Sequence, residues 1–256
     1  MTINKETTMR NVWTSVTKAA WPLLIVTALS ACAGGTERIA GGDTNVQMGR
    51  AALAGGAPAI ALQVGAGMLK DNPKDQEALT LQADALSALG RGIEAVPVYR
   101  QLLALDPGSI NAHIGLGRVL MGTDAVAAEG EFLAVLAKAP NTPIAANNLG
   151  IARDLQGRHT EAQVAYRSAL GMAPSMQAAS INLALSLSIS GRPAEAIPLL
   201  RPLAEAPTAD VKTRQDLAVA LAMAGDRAGA ARLLGRDMSQ AEVEVALRHY
   251  VALAKR

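Results

Sequence analysis

Ala95, Ala128, Ala162, Ala196 and Ala230 are separated by 33, 34, 34 and 34 residues, and Pro73, Pro107, Pro140, Pro174 and Pro207 keep a matching interval of 34, 33, 34 and 33. A period of this length restricts the chain to architectures in which one supersecondary unit stacks on copies of itself. The aromatic residues share the period. Tyr99, Phe132 and Tyr166 each follow one of these alanines by four residues, and they are three of the four Phe or Tyr residues present. Gly56 and Gly90, and again Gly157, Gly191 and Gly225, recur at 34 ahead of the alanines, while Gly117 and Gly150 mark a second phase. The third unit is one residue short. The deletion is expected in Met121-Gly122-Thr123-Asp124, because losing a loop residue costs least.

Each unit reads as a helix, a glycine turn, a second helix and a proline break. In the fourth unit Leu149-Gly150 falls mid-helix, Gly157 turns the chain, Glu161 to Ala169 carries the second helix, and Pro174 ends it. Half of the residues are apolar but only 2% are aromatic, so the core is expected to consist of Ala, Leu and Val between closely spaced helices. Small residues at Gly150 and Ala162 let the axes approach. Enlarging Ala162 to Leu is expected to cost about 1 to 3 kcal/mol through overpacking.

Leu-Gly in the first helix, followed by Ala, an aromatic and Pro in the second, resembles the tetratricopeptide repeat. The resemblance is fullest from Gln76 to Met176 and fades toward the amino end, where Met48-Gly49, Gly56, Ala61 and Pro73 remain. It implies an all-α, right-handed solenoid of about six helical hairpins over residues 45–238. The large residue of the family's first helix is replaced by Leu79, His113, Ala146 and Ser180, which predicts looser packing between repeats. Residues 239–256 read as a capping helix. Ser239-Gln240-Ala241-Glu242 is a capping box, and Val243, Ala246, Leu247, Tyr250 and Val251 form a stripe able to cover the last hairpin. The basic Arg248, Lys255 and Arg256 leave a membrane-surface or partner helix as the alternative.

The amino-terminal segment has another character. Lys5, Arg10 and Lys18 precede an apolar run from Ala19 to Ala28, and Leu29-Ser30-Ala31-Cys32 ends in the chain's one cysteine. The arrangement resembles the bacterial lipoprotein lipobox, which implies a signal peptide over residues 1–31, lipidation of Cys32, and a flexible glycine-bearing tether over 32–44. Met9 offers a second start. The apolar stretch is shorter than the roughly 20 residues a membrane span needs, so the expected anchor is covalent lipid on Cys32 and no other cofactor. The resemblance further implies an outer-membrane, periplasm-facing lipoprotein, since Ala33 is not the aspartate that retains lipoproteins at the inner membrane of enteric bacteria. Removing residues 1–31 takes away three basic groups and one acidic group, leaving 21 of each, so charge gives no reason to expect a nucleic-acid partner.

No reactive centre is legible. His113, His159 and His249 occupy unlike repeat positions without accompanying metal ligands, and Gly115-Leu116-Gly117 lies inside a helix pattern with no strand before it. No P-loop or Gly-x-Ser-x-Gly elbow occurs, and the repeats leave no room for a catalytic domain, so a non-enzymatic binding protein is expected. In the family the first helix of each unit lines a concave groove. The resemblance therefore places Asn111, Ile114, Arg118 and Met121, then Asn147, Asn148, Ile151 and Leu155, then Ile181, Asn182 and Leu185 on that surface. Asn148 and Asn182 are 34 apart, matching asparagines that in some relatives hold the backbone of an extended peptide. The alternative is that these amides bond within the solenoid. Signal plus repeats also resemble the tetratricopeptide lipoproteins of tight-adherence (Flp) pilus systems, pilotin-like factors that help a secretin assemble. The same layout occurs in type IV pilus pilotins and in scaffolds for peptidoglycan enzymes.

Overall fold

A computed structural model describes the backbone of residues 41–254 and the side chains of residues 44–250. The expected signal peptide, Cys32 and most of the expected tether lie outside the described residues. Among those described, thirteen helices follow one another with no strand: α1 (Gly41–Ala54), α2 (Pro58–Asp71), α3 (Gln76–Ala88), α4 (Gly92–Leu105), α5 (Ile110–Leu120), α6 (Ala125–Lys138), α7 (Pro143–Leu155), α8 (His159–Met172), α9 (Gln177–Ile189), α10 (Pro193–Ala204), α11 (Val211–Met223), α12 (Arg227–Leu234) and α13 (Gln240–Ala254). The helix α1 begins at Gly41, so residues 41–44, read from the sequence as tether, are helical.

Helices α1 to α12 pair into six antiparallel hairpins, each packed on the next, and α13 closes the stack against α11 and α12. The turns inside five hairpins share one construction. Gly56, Gly90, Gly157, Gly191 and Gly225 take φ between 72° and 93°, a region open to glycine at little cost. The residue after each glycine donates its backbone N–H to a carbonyl five positions back, as Arg91 does to Leu86 and Arg158 to Arg153. This satisfies a carbonyl that the helix end would otherwise strand. The third hairpin, one residue shorter, lacks that turn. The Asp124 backbone N–H donates to the Leu120 carbonyl instead (2.7 Å), and its carboxylate accepts from the Ala127 N–H (2.9 Å), starting α6 without a left-handed residue. The deletion is thus absorbed in the turn.

Between hairpins, Asp75, Ser109 and Asp210 cap α3, α5 and α11 through their side chains, and Pro143 opens α7 at a position where its missing N–H costs nothing. The period-34 alanines Ala61, Ala95, Ala128, Ala162, Ala196 and Ala230 are all fully buried. Aromatic rings fill the space left by glycine. A Cβ on Gly117 would sit 2.7 Å from the Phe132 ring, and one on Gly150 would sit 2.4 Å from the Tyr166 ring. Where the first unit has Gly65 at the aromatic position, helix backbones meet directly, with a Cβ there only 3.1 Å from the Ala78 carbonyl oxygen.

The expected loosening between repeats is absent at Ala146. This residue is buried with Ala169 and Ala179, and Leu136, Leu170, Met172 and Met176 close over the cluster, so neighbouring helices supply the volume an aromatic would have filled. His113 is held by Glu131 at Nδ1 (2.6 Å) and by the Pro107 carbonyl at Nε2 (3.1 Å). At the carboxy end Ser239 and Glu242 form the reciprocal capping box, with the Ser239 N–H donating to the Glu242 carboxylate at 2.8 Å. Val243 and Leu247 of α13 are buried in the last core cluster, and Tyr250 packs on it.

Candidate functional site

First helices of successive hairpins touch one another, α3 with α5, α7 with α9, and α9 with α11, whereas among the described residues second helices make no comparable contact. First helices therefore form the inner layer, where the arc is shorter, and the side chains they turn away from their own second helices line the concave face.

Asn147, Asn148 and Asn182 come together where α7 meets α9 and are each at most 9% exposed. The Asn182 Nδ2 donates to Asn147 Oδ1 at 2.9 Å, and Asn147 Nδ2 donates to Asn148 Oδ1 at 3.4 Å. The relay ends at Asn148 Nδ2, a buried amide nitrogen with no partner among the described residues. Burying an amide N–H without an acceptor costs about 1 to 3 kcal/mol, so such an atom in a native fold marks strain or a missing ligand. Ile151 and Leu185, one helical turn further on, are half-buried beside it, as are Ile181 and Ile114. Asn111 and Arg118 stand exposed on α5, apart from the asparagine relay, and Arg118 has no carboxylate within ion-pairing distance among the described residues.

The row that runs through Asn148 and Asn182 continues at the same interval to Asp216. Burial pushes the Asp216 carboxyl above its ordinary range, although Lys212 at 3.1 Å pulls the other way. One unit before Asn148 the row holds Gly115, and the reason is Tyr99. Its ring would lie 2.4 Å from a Cβ at Gly115, and its hydroxyl donates to Asp84 at 2.6 Å. A tyrosine from the preceding hairpin thus occupies the place where a side chain of the row would project. Burial, then the adjacent Asp84 carboxylate, raises the Tyr99 hydroxyl above its ordinary range, so it remains a donor.

Two buried acidic centres join repeats behind the groove, and sequence reading did not identify either one. Asp154 accepts from the Tyr166 hydroxyl (2.9 Å) and the Ser186 hydroxyl (2.8 Å), with His159 Nδ1 at 2.8 Å. Glu129 accepts from Arg153 (2.9 Å), Gln156 (2.9 Å) and Arg158 (2.5 Å). Tyr166 and Arg158 hold periodic positions, and Arg192 donates to Gln163 as Arg158 does to Glu129, but the carboxylates themselves do not recur: Ser188 and Gln163 stand one period after Asp154 and Glu129. Each carboxylate is saturated by donors. Among the described residues no group of His, Cys, Asp and Glu is arranged to hold a metal ion, and no helix is long and apolar enough to cross a membrane.

The tetratricopeptide repeat profile matches residues 46–110, 81–141, 123–176 and 156–211 in overlapping windows. Among solved structures, the tetratricopeptide protein TTC0263 of Thermus thermophilus superposes with a TM-score of 0.60 at 22% identity, covering 70% of this chain and 98% of its own. MamA from Desulfovibrio magneticus RS-1, in a form beginning at residue 41, gives 0.56 at 24% identity over 62% of this chain and 91% of its own. YrrB, described as a TPR protein with an unusual peptide-binding site, gives 0.53 at 18% identity over 74% and 95%. No curated protein matches the sequence.

Proposed function

The chain belongs to the tetratricopeptide repeat family, and from that premise we propose that it is a lipid-anchored, periplasm-facing scaffold whose concave groove holds an extended segment of a partner protein. The observation that carries this reading is the buried, unpartnered amide nitrogen of Asn148 on the inner face. Once the Asn148 side chain turns outward, a peptide carbonyl completes the relay that starts at Asn182. Ile114, Ile151 and Leu185 offer apolar contact on either side, and Asn111 and Arg118 supply polar contacts toward the amino end. YrrB, of the same fold, is described as having a peptide-binding site, in keeping with this use of the scaffold.

The finer reading is that lipid on Cys32 tethers the protein to the outer membrane and that the partner is a secretin or another component of a tight-adherence pilus system, which the protein helps to assemble. Tethering raises local concentration, so a groove of modest affinity suffices. No catalytic step belongs to this reading; the protein acts by binding alone. A type IV pilus pilotin or a peptidoglycan-enzyme adaptor is the neighbouring role built from the same parts.

The test is to fractionate membranes of cells with and without the protein and follow secretin multimers. Loss or mislocalisation of multimers, restored by the wild-type chain but not by Cys32→Ser or Asn148→Ala, is the expected outcome. Normal multimers in the normal membrane without the protein would remove the pilotin role.

A further inference from the structure

In a stack of antiparallel hairpins every internal turn lies on the same edge, because all first helices run parallel. Adjacent turns touch along that edge: a Cβ on Gly92, which opens α4, would sit 3.0 Å from Val119 of α5, and Gln156 at the end of α7 donates to the Ala125 carbonyl at the start of α6 (3.2 Å). The edge differs between the two halves of the solenoid. In the first three hairpins it carries Ile60 (51% exposed), Leu89, Ile93 (88%) and Val126 (66%). The first turn, residues 54–60, has no charged residue at all. The charges in the next two turns are already engaged, Arg91 with Glu94 and Asp124 with the α6 N-terminus. In the last three hairpins the edge carries more ionisable residues, Arg158, His159, Arg192, Asp226 and Arg227, each likewise paired with a carboxylate or a helix end, and Ile189 is the one large apolar residue standing out from it among the described residues.

We propose that the turn edge of the first three hairpins is a membrane-contact surface, resting Ile93, Val126 and Ile60 in the interfacial region of the bilayer that holds the lipid anchor. An isoleucine left 88% exposed beside other exposed apolar residues gains by leaving water, and a lipid interface receives isolated apolar side chains without demanding a shaped pocket. Chain length makes the bilayer the favoured occupant. Cys32 precedes Gly41 by nine residues, which span at most about 30 Å when extended. The helix α1, at 1.5 Å per residue, places the turn edge only about 21 Å from that helix start. The turn of the first hairpin, although at the end of α1 away from the anchor, is thus within the tether's reach, while the more charged edge of the later hairpins stands farther along the stack. Contact along an edge leaves the inner face open to a partner. The inference rests on the Cys32 anchor proposed above.

The experiment uses the mature lipidated protein in vesicles of phosphatidylethanolamine and phosphatidylglycerol with quencher-bearing acyl chains. Because Cys32 is the chain's one cysteine and acylation consumes its thiol, Ile93→Cys, Val126→Cys and Thr160→Cys each accept a single fluorophore. Labels at 93 and 126 are expected to lose most of their fluorescence, while the label at 160, an exposed residue at the matching position of the fourth hairpin, keeps its own. Equal quenching, or none, at all three sites in an acylated, normally helical protein overturns the membrane edge and leaves the anchor standing. Concentration-dependent burial of the label at 93 without vesicles assigns the edge to a second copy and overturns it also. Labelling of Cys32 itself would show a free thiol, removing the anchor and the edge together.

Discussion

The side-chain amide of Asn182 donates to the side-chain oxygen of Asn147 at 2.9 Å, tying the fifth hairpin to the fourth across the groove floor. Asn148 and Asn182 therefore differ in role although they share a repeat position. Replacing Asn182 by Ala strands the buried Asn147 oxygen and is expected to lower stability by about 1 to 3 kcal/mol. Replacing Asn148 by Ala removes a donor that has no partner in the free protein together with the oxygen that accepts from Asn147 Nδ2 at the longer distance of 3.4 Å, so a smaller loss of stability than in Asn182→Ala is expected. Affinity for an extended partner segment should fall roughly tenfold, the worth of one hydrogen bond to a desolvated carbonyl. Thermal melts and titration calorimetry separate the two effects. Unaltered affinity in Asn148→Ala would mean that its amide nitrogen does not meet the ligand.

Glycine has opposite meanings at Gly150 and Gly130. A methyl on Gly150 would fall 2.4 Å from the Tyr166 ring, which is itself fully buried and bonded to Asp154, so the ring has nowhere to retreat. Gly150→Ala is expected to cost about 1 to 3 kcal/mol by overpacking. At Gly130, inside α6, an added Cβ meets nothing within 4 Å. Gly130→Ala should stabilise by about 0.5 to 1 kcal/mol, since alanine loses less backbone entropy in a helix. Urea unfolding of both variants measures the contrast, and a Gly150→Ala variant as stable as the wild type would show that the ring can shift.

What the sequence made legible follows from periodicity. The alanines recur in every unit, and the turn glycines and aromatic positions in several, because each solves a repeated packing problem, so spacing together with the family resemblance identified the hairpins and their number. The residues at unlike positions were hidden. Asp154 and Glu129 are the irregular members of their centres, with Ser188 and Gln163 one period on, and Tyr99 fills the position at Gly115 from the hairpin before. The filling of the gap at Ala146 by Met172 and Met176 was equally invisible, because unbranched methionines reach sideways to places that a pattern does not specify. Asn148 and Asn182 were legible as a pair, but not the relay through Asn147 that makes them unequal.

Asp216 occupies the asparagine row with a carboxylate, and burial raises its pKa against the pull of Lys212. A carboxyl that holds its proton more tightly folded than unfolded favours the native state at acid pH. That contribution is lost as pH rises through its folded pKa. Above that range the charge is a burden, so Asp216→Asn should melt higher than the wild type at pH 7, and the gap should shrink as the buffer is acidified into the carboxylate range. Melting curves of both proteins from neutral pH down into that range check this. A variant less stable at neutral pH would show that the Lys212 pair outweighs burial.

Glu129 carries the opposite sign. Burial alone would raise its pKa, but hydrogen bonds from Arg153, Gln156 and Arg158 together outweigh that and hold it below the ordinary carboxylate range. Its contribution is present above the unfolded pKa, about 4.3 for glutamate, and is lost as pH falls through the depressed folded value. These donors all come from the fourth hairpin while Glu129 belongs to the third, so the loss falls on one seam of the stack. Glu129→Gln keeps the shape but leaves arginine donors facing an amide, and a cost of about 1 to 3 kcal/mol is expected at pH 7. In a solenoid each unit is held chiefly by its neighbours, so weakening this seam should loosen hairpins on both sides before the ends unfold. Hydrogen exchange is the discriminating measurement. Faster exchange in α6 and α7 of the variant at neutral pH, converging with the wild type under acid, is the expected pattern, and uniform exchange along the whole chain would show that the array unfolds as one unit.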